Sequence, residues 1–464
     1  MKHALRGTLA AAAAAFIVSS AAAQPAANVP AILDSVLHSR ESGFASSPSV
    51  VGAAIGIYWK GQTYYATYGL ADKERRITVD SLTRFEIGSN TKVFTGLMLA
   101  SEMAAGRLSG QDYLDEFLPM HKALQHKIRL TDIANHISGL PTFHDSASLA
   151  ELTATDTSKD PLMLITDDYV LNVLRKVDTL HNYGNYEYSN FGVGVLGYLL
   201  QQTEKASYEQ LLQRMICKPL QLKYTTTVLD STKPQFAKGY YHQERSPFIS
   251  LTSAMIGAGG IRSNITDMMT FVKAQLQGNG AMEEALQIGQ QKFYKGPHLQ
   301  IAMGWHIARS YDAEIYEMRG DTYGASSAML FDKRHDLGIV ILLNSANSGL
   351  VQRTQSLILA KLLDNTGTQD NFRKPEIAVD AKIMETYKGV YELEPGFDAT
   401  VSVKEGKLWL QLTGQPGGAF KAVGENLFVV EKLNCQLEFL KNVQGGCDEF
   451  VLRQNEMKIS CRRK

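Results

Sequence analysis

The sequence predicts an α/β (α+β) fold, a sheet flanked by helices, followed by a small C-terminal β-barrel. Three observations lead there. Strand-like apolar stretches occur early and again late, with helically spaced apolar residues between them, so a sheet forms from both ends of a domain whose termini meet. At 464 residues the chain exceeds one average domain. Beyond a polar, turn-rich segment at 364–376 the apolar pattern changes to strict alternation, the mark of strands with one buried face.

Taken in order, residues 1–23 form an expected leader. Lys2 and Arg6 give a basic start, Leu9–Val18 an apolar run too short to span a bilayer, and Ala21-Ala22-Ala23 a small-residue cut site before Gln24. This predicts a periplasmic or secreted protein with no transmembrane segment after cleavage. A first domain is expected over 24–363. It begins with a hairpin, Val50–Trp59 and Tyr64–Gly69 around a turn at Gly61. Helices are expected at Val93–Ala105, Leu130–His136, Asp168–Lys176, Gly192–Gln202 and Tyr208–Cys217. Gly257–Gly260 reads as a loop, and Asn264 or Thr266 as the cap of a helix over Asp267–Gln277. Strands return at Met303–Ala308, Ile315–Met318, Ala328–Phe331 and Leu337–Leu343. The linker at 364–376 leads to the second domain, 377–464. There Thr400–Val403, Leu408/Leu410/Leu412, Cys435–Leu440 and Glu449–Arg453 keep a two-residue rhythm.

Composition excludes some classes of function. Lys+Arg and Asp+Glu both number 47, so no polyelectrolyte partner is implied, and no basic stripe or recognition motif supports nucleic-acid binding. The four cysteines, Cys217, Cys435, Cys447 and Cys461, form no C-x-x-C pair, and His136 and His144 are spaced wrongly for a helical zinc pair. No metal and no cofactor is expected. An exported chain can hold disulfides, and Cys447 and Cys461 can face each other across a hairpin, in a register the sequence leaves open.

The chemistry centres on Gly88-Ser89-Asn90-Thr91-Lys92, at the head of an apolar helix. A serine hydroxyl needs a base to become nucleophilic, and a lysine three residues on shares its helix face. In a dry pocket that lysine gives up part of its preference for charge. The helix start also offers free N–H groups and partial positive charge for an oxyanion. A second motif is Tyr188-Ser189-Asn190, on a loop entering a core. Near a lysine, Tyr188 is expected to lose its proton more easily and to act as base toward Ser89 or as acid toward a leaving group, while the Asn190 amide can bind a substrate amide. A third element is a strand edge with glycine, Glu317-Met318-Arg319-Gly320-Asp321-Thr322-Tyr323-Gly324.

In this order the three motifs resemble those of the serine β-lactamase and penicillin-recognising enzymes, in their class C and DD-peptidase branch, which carry S-x-x-K, then Y-x-N, then K-T-G or H-x-G. Ile128–Pro141, with its SGLP turn, and Gly260-Ile261-Arg262-Ser263 extend the likeness over roughly 30–360. Residues 377–464 resemble the lipocalin-like domain attached to some members, through Tyr387–Tyr391 and Thr413–Pro416. The resemblance implies a β-lactamase/transpeptidase-like sheet with an all-helical subdomain. It implies Ser89 as acylated nucleophile, Lys92 as its activator, Tyr188 as general acid/base and Asn190 as substrate-amide ligand. The N–H groups of Ser89 and Asp321 would form the oxyanion hole on a strand kept close by Gly320. The family's third-motif cation falls on Met318, and adjacent Arg319, a candidate carboxylate ligand, should alternate to the other strand face. The activity implied is acyl transfer through an acyl-serine on β-lactams, D-amino-acid peptides or related amides and esters. The alternatives are a carboxylesterase of the same fold or a non-catalytic binder of peptidoglycan peptides. The partner is a small-molecule or peptide substrate; the sequence does not set an oligomeric state.

Overall fold

The computed structural model describes residues 28–464 apart from 39–43, 45–46, 48, 143–160, 231–232, 234, 297–298, 311–312, 364–370, 372–373, 395–396, 415–416, 431–434, 443–445 and 455–456. The expected leader, His144 and most of the expected linker lie outside the described residues.

The early and late strands form one antiparallel sheet. Its members are β1 (Gly52–Trp59), β2 (Gln62–Asp72), β3 (Ile77–Thr78), β4 (Tyr294–Lys295), β5 (Gln300–Ala302), β6 (Trp305–Ser310), β7 (Ala313–Asp321), β8 (Ser326–Asp332) and β9 (Leu337–Leu343). The order across it is β3-β2-β1-β9-β8-β7-β6-β5-β4. First and last strands therefore lie side by side, from Ala53 opposite Leu343 to Trp59 opposite Leu337. These central strands are apolar at nearly every position because each feeds two cores by simple alternation. Ala54, Tyr58, Val340 and Leu342 enter the larger core, while Ala53, Ile55, Ile57, Ile339 and Ile341 enter the smaller one. The smaller core is closed by α1 (Val29–His38) and by α5 (Ser348–Leu363). The larger one is closed by α2 (Thr91–Ala104), α3 (Asn190–Glu204) and α4 (Ile265–Gln277). Each fully buried Leu, Ile or Phe in these layers contributes about 1.5–3 kcal/mol.

One expectation inside this domain is corrected and another narrowed. Gly257–Gly260 is not a loop: Ile256–Gly259 is a helical turn, held by Ile256 N–H to Thr252 O (2.9 Å) and Gly260 N–H to Ile256 O (2.9 Å). Of the two candidate caps for α4, Asn264 is the one used, its Oδ1 accepting from Asp267 N–H at 2.8 Å.

The second unit is a closed barrel of eight strands: β10 (Gly389–Glu394), β11 (Phe397–Lys404), β12 (Lys407–Leu412), β13 (Gly418–Gly424), β14 (Leu427–Val430), β15 (Cys435–Lys441), β16 (Cys447–Gln454) and β17 (Met457–Arg463). It closes where Tyr391 of β10 meets Arg463 of β17. An eight-stranded barrel has just enough interior for side chains. Here Tyr391, Phe428, Phe439 and Phe450 fill it, and a short helix, Ala381–Tyr387, adds Tyr387, stacked 4.2 Å from the Phe439 ring. The expected facing of Cys447 and Cys461 does not occur. The register sets Cys461 opposite Phe450 and Cys447 opposite Lys441, and all four cysteines are free and buried.

Candidate active site

Ser89 sits in a single 3₁₀ turn, Gly88–Asn90, that runs directly into α2. Gly88 has φ +50°, the left-handed region that favours glycine. A Cβ there would also stand 2.7 Å from Asp321 O and 2.8 Å from Asp321 N. Gly320 makes the reciprocal approach: a Cβ on it would lie 2.1 Å from Ile87 O and 2.7 Å from Ser89 N. Two glycines thus let the nucleophile turn and the end of β7 touch backbone to backbone. β7 can offer that side because its neighbour β6 stops pairing at His306 opposite Glu317. Its other side stays held by β8 as far as Asp321 opposite Ser326. The amides of Ser89 and Asp321 therefore flank one small space, the arrangement an oxyanion hole needs.

Lys92, one helical turn on, donates from Nζ to Ser89 Oγ at 2.9 Å and to Ala258 O at 2.7 Å. The acceptor Ala258 belongs to the helical turn that replaced the expected loop. Lys92 is 1% exposed. Burial disfavours its ammonium and brings its pKa down to about 7.

Tyr188 comes from the residues just before α3 and is hydrogen-bonded to Ser89. The Lys92 ammonium nitrogen lies 4.9 Å from its ring centroid. Its placement rests on the SGLP segment. Ser189 caps α3 through Gly192 N–H (2.8 Å), donates its hydroxyl to Pro141 O (2.6 Å), and gives its N–H to His136 Nδ1 (3.1 Å). The His136 ring packs beside that of Tyr188, with centroids 4.5 Å apart. The acidity expected of Tyr188 is reversed. Burial raises its pKa above the ordinary tyrosine value, outweighing the hydrogen bond from Ser89, so the phenol keeps its proton.

These groups share a pocket of about 490 Å³ lined by Ser89, Tyr188, Asn190, His306, Glu317, Met318, Arg319 and Asp321. Five of the seven residues named from the sequence line it, while Lys92 reaches it through Ser89 Oγ and Gly320 backs onto the Ser89 turn. Arg319 corrects its expected orientation. Glu317, Arg319 and Asp321 alternate onto the pocket side of β7, and Met318 touches the pocket only from the larger core, 2% exposed. The Arg319 guanidinium is paired with Glu317 at 3.0 Å.

Sequence reading missed His306 and gave Glu317, though inside the third element, no role. His306 stands on β6 and bonds through Nε2 to the Tyr186 hydroxyl at 3.0 Å. Burial, then the nearby Arg319 and Lys92 charges, lowers its pKa to about 4, so the ring is neutral. Its sequence surroundings, Gly304-Trp305-His306-Ile307, carry no catalytic spacing; strand pairing alone brings it opposite Glu317.

A serine hydroxyl bonded to a buried lysine, a phenol bonded to the same serine and a strand backbone pressed against its turn make up an arrangement that can carry acyl transfer. A family model described as Beta-lactamase matches residues 37–362. The chain belongs to that family of serine hydrolases. A second model, a domain of unknown function called DUF3471, matches residues 373–462, the barrel. Among relatives, a protein named Beta-lactamase from Escherichia coli (strain K12) is 23% identical over 293 residues, 60% of this chain and 71% of that one. Protein flp from Staphylococcus aureus (strain MW2) is 25% identical over 358 residues, 74% of this chain and 68% of its own. A Beta-lactamase from Yersinia enterocolitica is 25% identical over 269 residues, 56% and 65% of the two chains.

Proposed function

We propose that the protein hydrolyses esters or amides through an acyl-Ser89 intermediate, in the compartment reached by export. The observation that carries this is the 2.9 Å contact between Ser89 Oγ and a fully buried lysine whose pKa is near 7. A neutral Lys92 takes the Ser89 proton as the oxygen attacks the substrate carbonyl. The oxyanion is met by the N–H groups of Ser89 and Asp321, and Asn190 holds the acyl side. Tyr188, still protonated, gives its proton to the departing amine or alkoxide and recovers one from Lys92. Water then repeats the attack on the acyl-serine, releasing acid and restoring the free hydroxyl. Fixed donors of this kind contribute about 10²–10³-fold each when aimed at developing charge.

A panel of nitrocefin, a D-Ala-D-Ala peptide and p-nitrophenyl butyrate tests the reading. Turnover of at least one, abolished by Ser89→Ala, is the expected result. Binding of the peptide without turnover of any of the three supports a non-catalytic binder instead.

A further inference from the structure

The pocket holds one feature that acyl transfer does not use, the pair Glu317–Arg319. Both side chains lie on the pocket side of β7, two residues apart, with Asp321 two residues beyond. Arg319 is the only lysine or arginine among the described residues lining the pocket, and it is already bonded to Glu317 at 3.0 Å. Lys92 cannot substitute for it, being 1% exposed and committed to Ser89 and Ala258. Met318 brings no charge at all. His306 faces the same space as a neutral ring bonded to Tyr186.

We propose that Glu317 sets the charge of the substrate: by holding Arg319 it cancels the pocket's cation, so the site rejects substrates with a carboxylate beside the reacting carbonyl and takes uncharged or ammonium-bearing ones. Two carboxylates, Glu317 and Asp321, stand against one guanidinium. A substrate carboxylate entering there adds a third anion around a cation whose charge is already balanced. Like charges brought together in a recognition site cost several kcal/mol when dry. The Glu317 and Arg319 side chains are 18% and 35% exposed, so solvent screens much of this. A discrimination of about tenfold remains a fair expectation. The same count gives Glu317 a second consequence. With its charge removed, Arg319 becomes a free guanidinium able to fork onto a carboxylate.

This inference rests on the acyl-serine reading, and the test separates the two. Three butyrate esters that differ only in the leaving group are compared: those of 3-hydroxybenzamide, 3-hydroxybenzoate and 3-hydroxyphenyl-trimethylammonium. The expected result for the native protein is a kcat/KM for the carboxylate ester about tenfold below that of the amide, with the quaternary ammonium ester equal to it or better. The gap should narrow at high salt. In Glu317→Gln the carboxylate-to-amide ratio should rise about tenfold. Turnover of all three esters with no dependence on leaving-group charge, or a Glu317→Gln ratio equal to that of the native protein, overturns the inference and leaves the acyl-serine reading standing. Failure of the native protein both to hydrolyse any ester and to be labelled at Ser89 overturns both. Should Glu317→Gln fold poorly, the salt dependence of the native protein decides.

Discussion

Thr322 donates its hydroxyl to the buried carboxylate of Glu86 at 2.8 Å, across 236 residues of chain. Glu86 lies three residues before Ser89, and Thr322 follows Asp321, so this bond ties together the segments carrying the Ser89 and Asp321 amides. Glu86 is itself anchored by Arg262 at 3.1 Å and by Ile249 N–H at 2.9 Å. The Thr322 hydroxyl also receives Ala325 N–H at 3.1 Å, closing the turn that ends β7.

Thr322 is therefore expected to act as a positioning residue. Thr322→Val keeps the shape and deletes the hydroxyl. It should lower kcat for p-nitrophenyl butyrate about tenfold with little change in KM, since the loss falls on the transition state. Thr322→Ser should restore most of it. A rise in KM with kcat unchanged would assign the residue to substrate binding instead.

Arg262 and Glu86 are a buried ion pair, 6% and 4% exposed at their side chains. Removing one partner strands the other charge. Arg262→Met is expected to cost about 3–5 kcal/mol in urea unfolding. Replacing both, as Glu86→Leu with Arg262→Met, should cost less than the single change, a comparison the same unfolding curves make directly.

Gly320 admits no side chain without moving Ile87 or Ser89. Gly320→Ala should separate β7 from the nucleophile turn, lowering kcat/KM about 10²-fold or more and stability by about 1–3 kcal/mol. Esterase rates and a thermal melt on the same sample measure both.

The pH dependence follows from Lys92. Its lone pair exists only in the neutral amine, and burial brings the pKa to about 7. Below that value the ammonium dominates, so kcat/KM should rise as pH climbs through about 7 and level off above it. No fall is expected before pH 10, because burial raises Tyr188 rather than lowering it. Lys92→Arg should be inactive throughout, a guanidinium staying charged. The same shift makes the folded state bind fewer protons than the unfolded one between about 7 and the ordinary 10.5, so this residue's contribution to stability grows with pH across that window.

What could be read from the sequence was what local spacing encodes. Ser89 and Lys92 are one helical turn apart, so a four-residue motif already places both on one face. Tyr188 and Asn190 bracket a helix cap at Ser189, and the unbroken apolar runs of β1 and β9 suit strands buried on both faces. Non-local relationships stayed hidden. His306 meets the site only through the β6–β7 register, and the Glu317–Arg319 pair depends on which face of β7 looks onto Ser89. The Glu86–Thr322 bond has no local trace. The helix Ser348–Leu363 had no counterpart among the expected elements, though its Leu350, Val351, Leu357, Ile358 and Leu362 recur with helical spacing. The glycine run at 257–260 misled because glycine signals a turn, whereas here it lets a helical turn press against α3, where Gly257 nears Gly197.

The most direct test is covalent capture of the nucleophile. The folded protein is treated with a fluorophosphonate at pH 8 and its peptides are mapped by mass spectrometry. The account predicts a single adduct on Ser89, absent in Ser89→Ala and formed far more slowly in Lys92→Met. An adduct on another serine, or none while the protein remains folded, would contradict it.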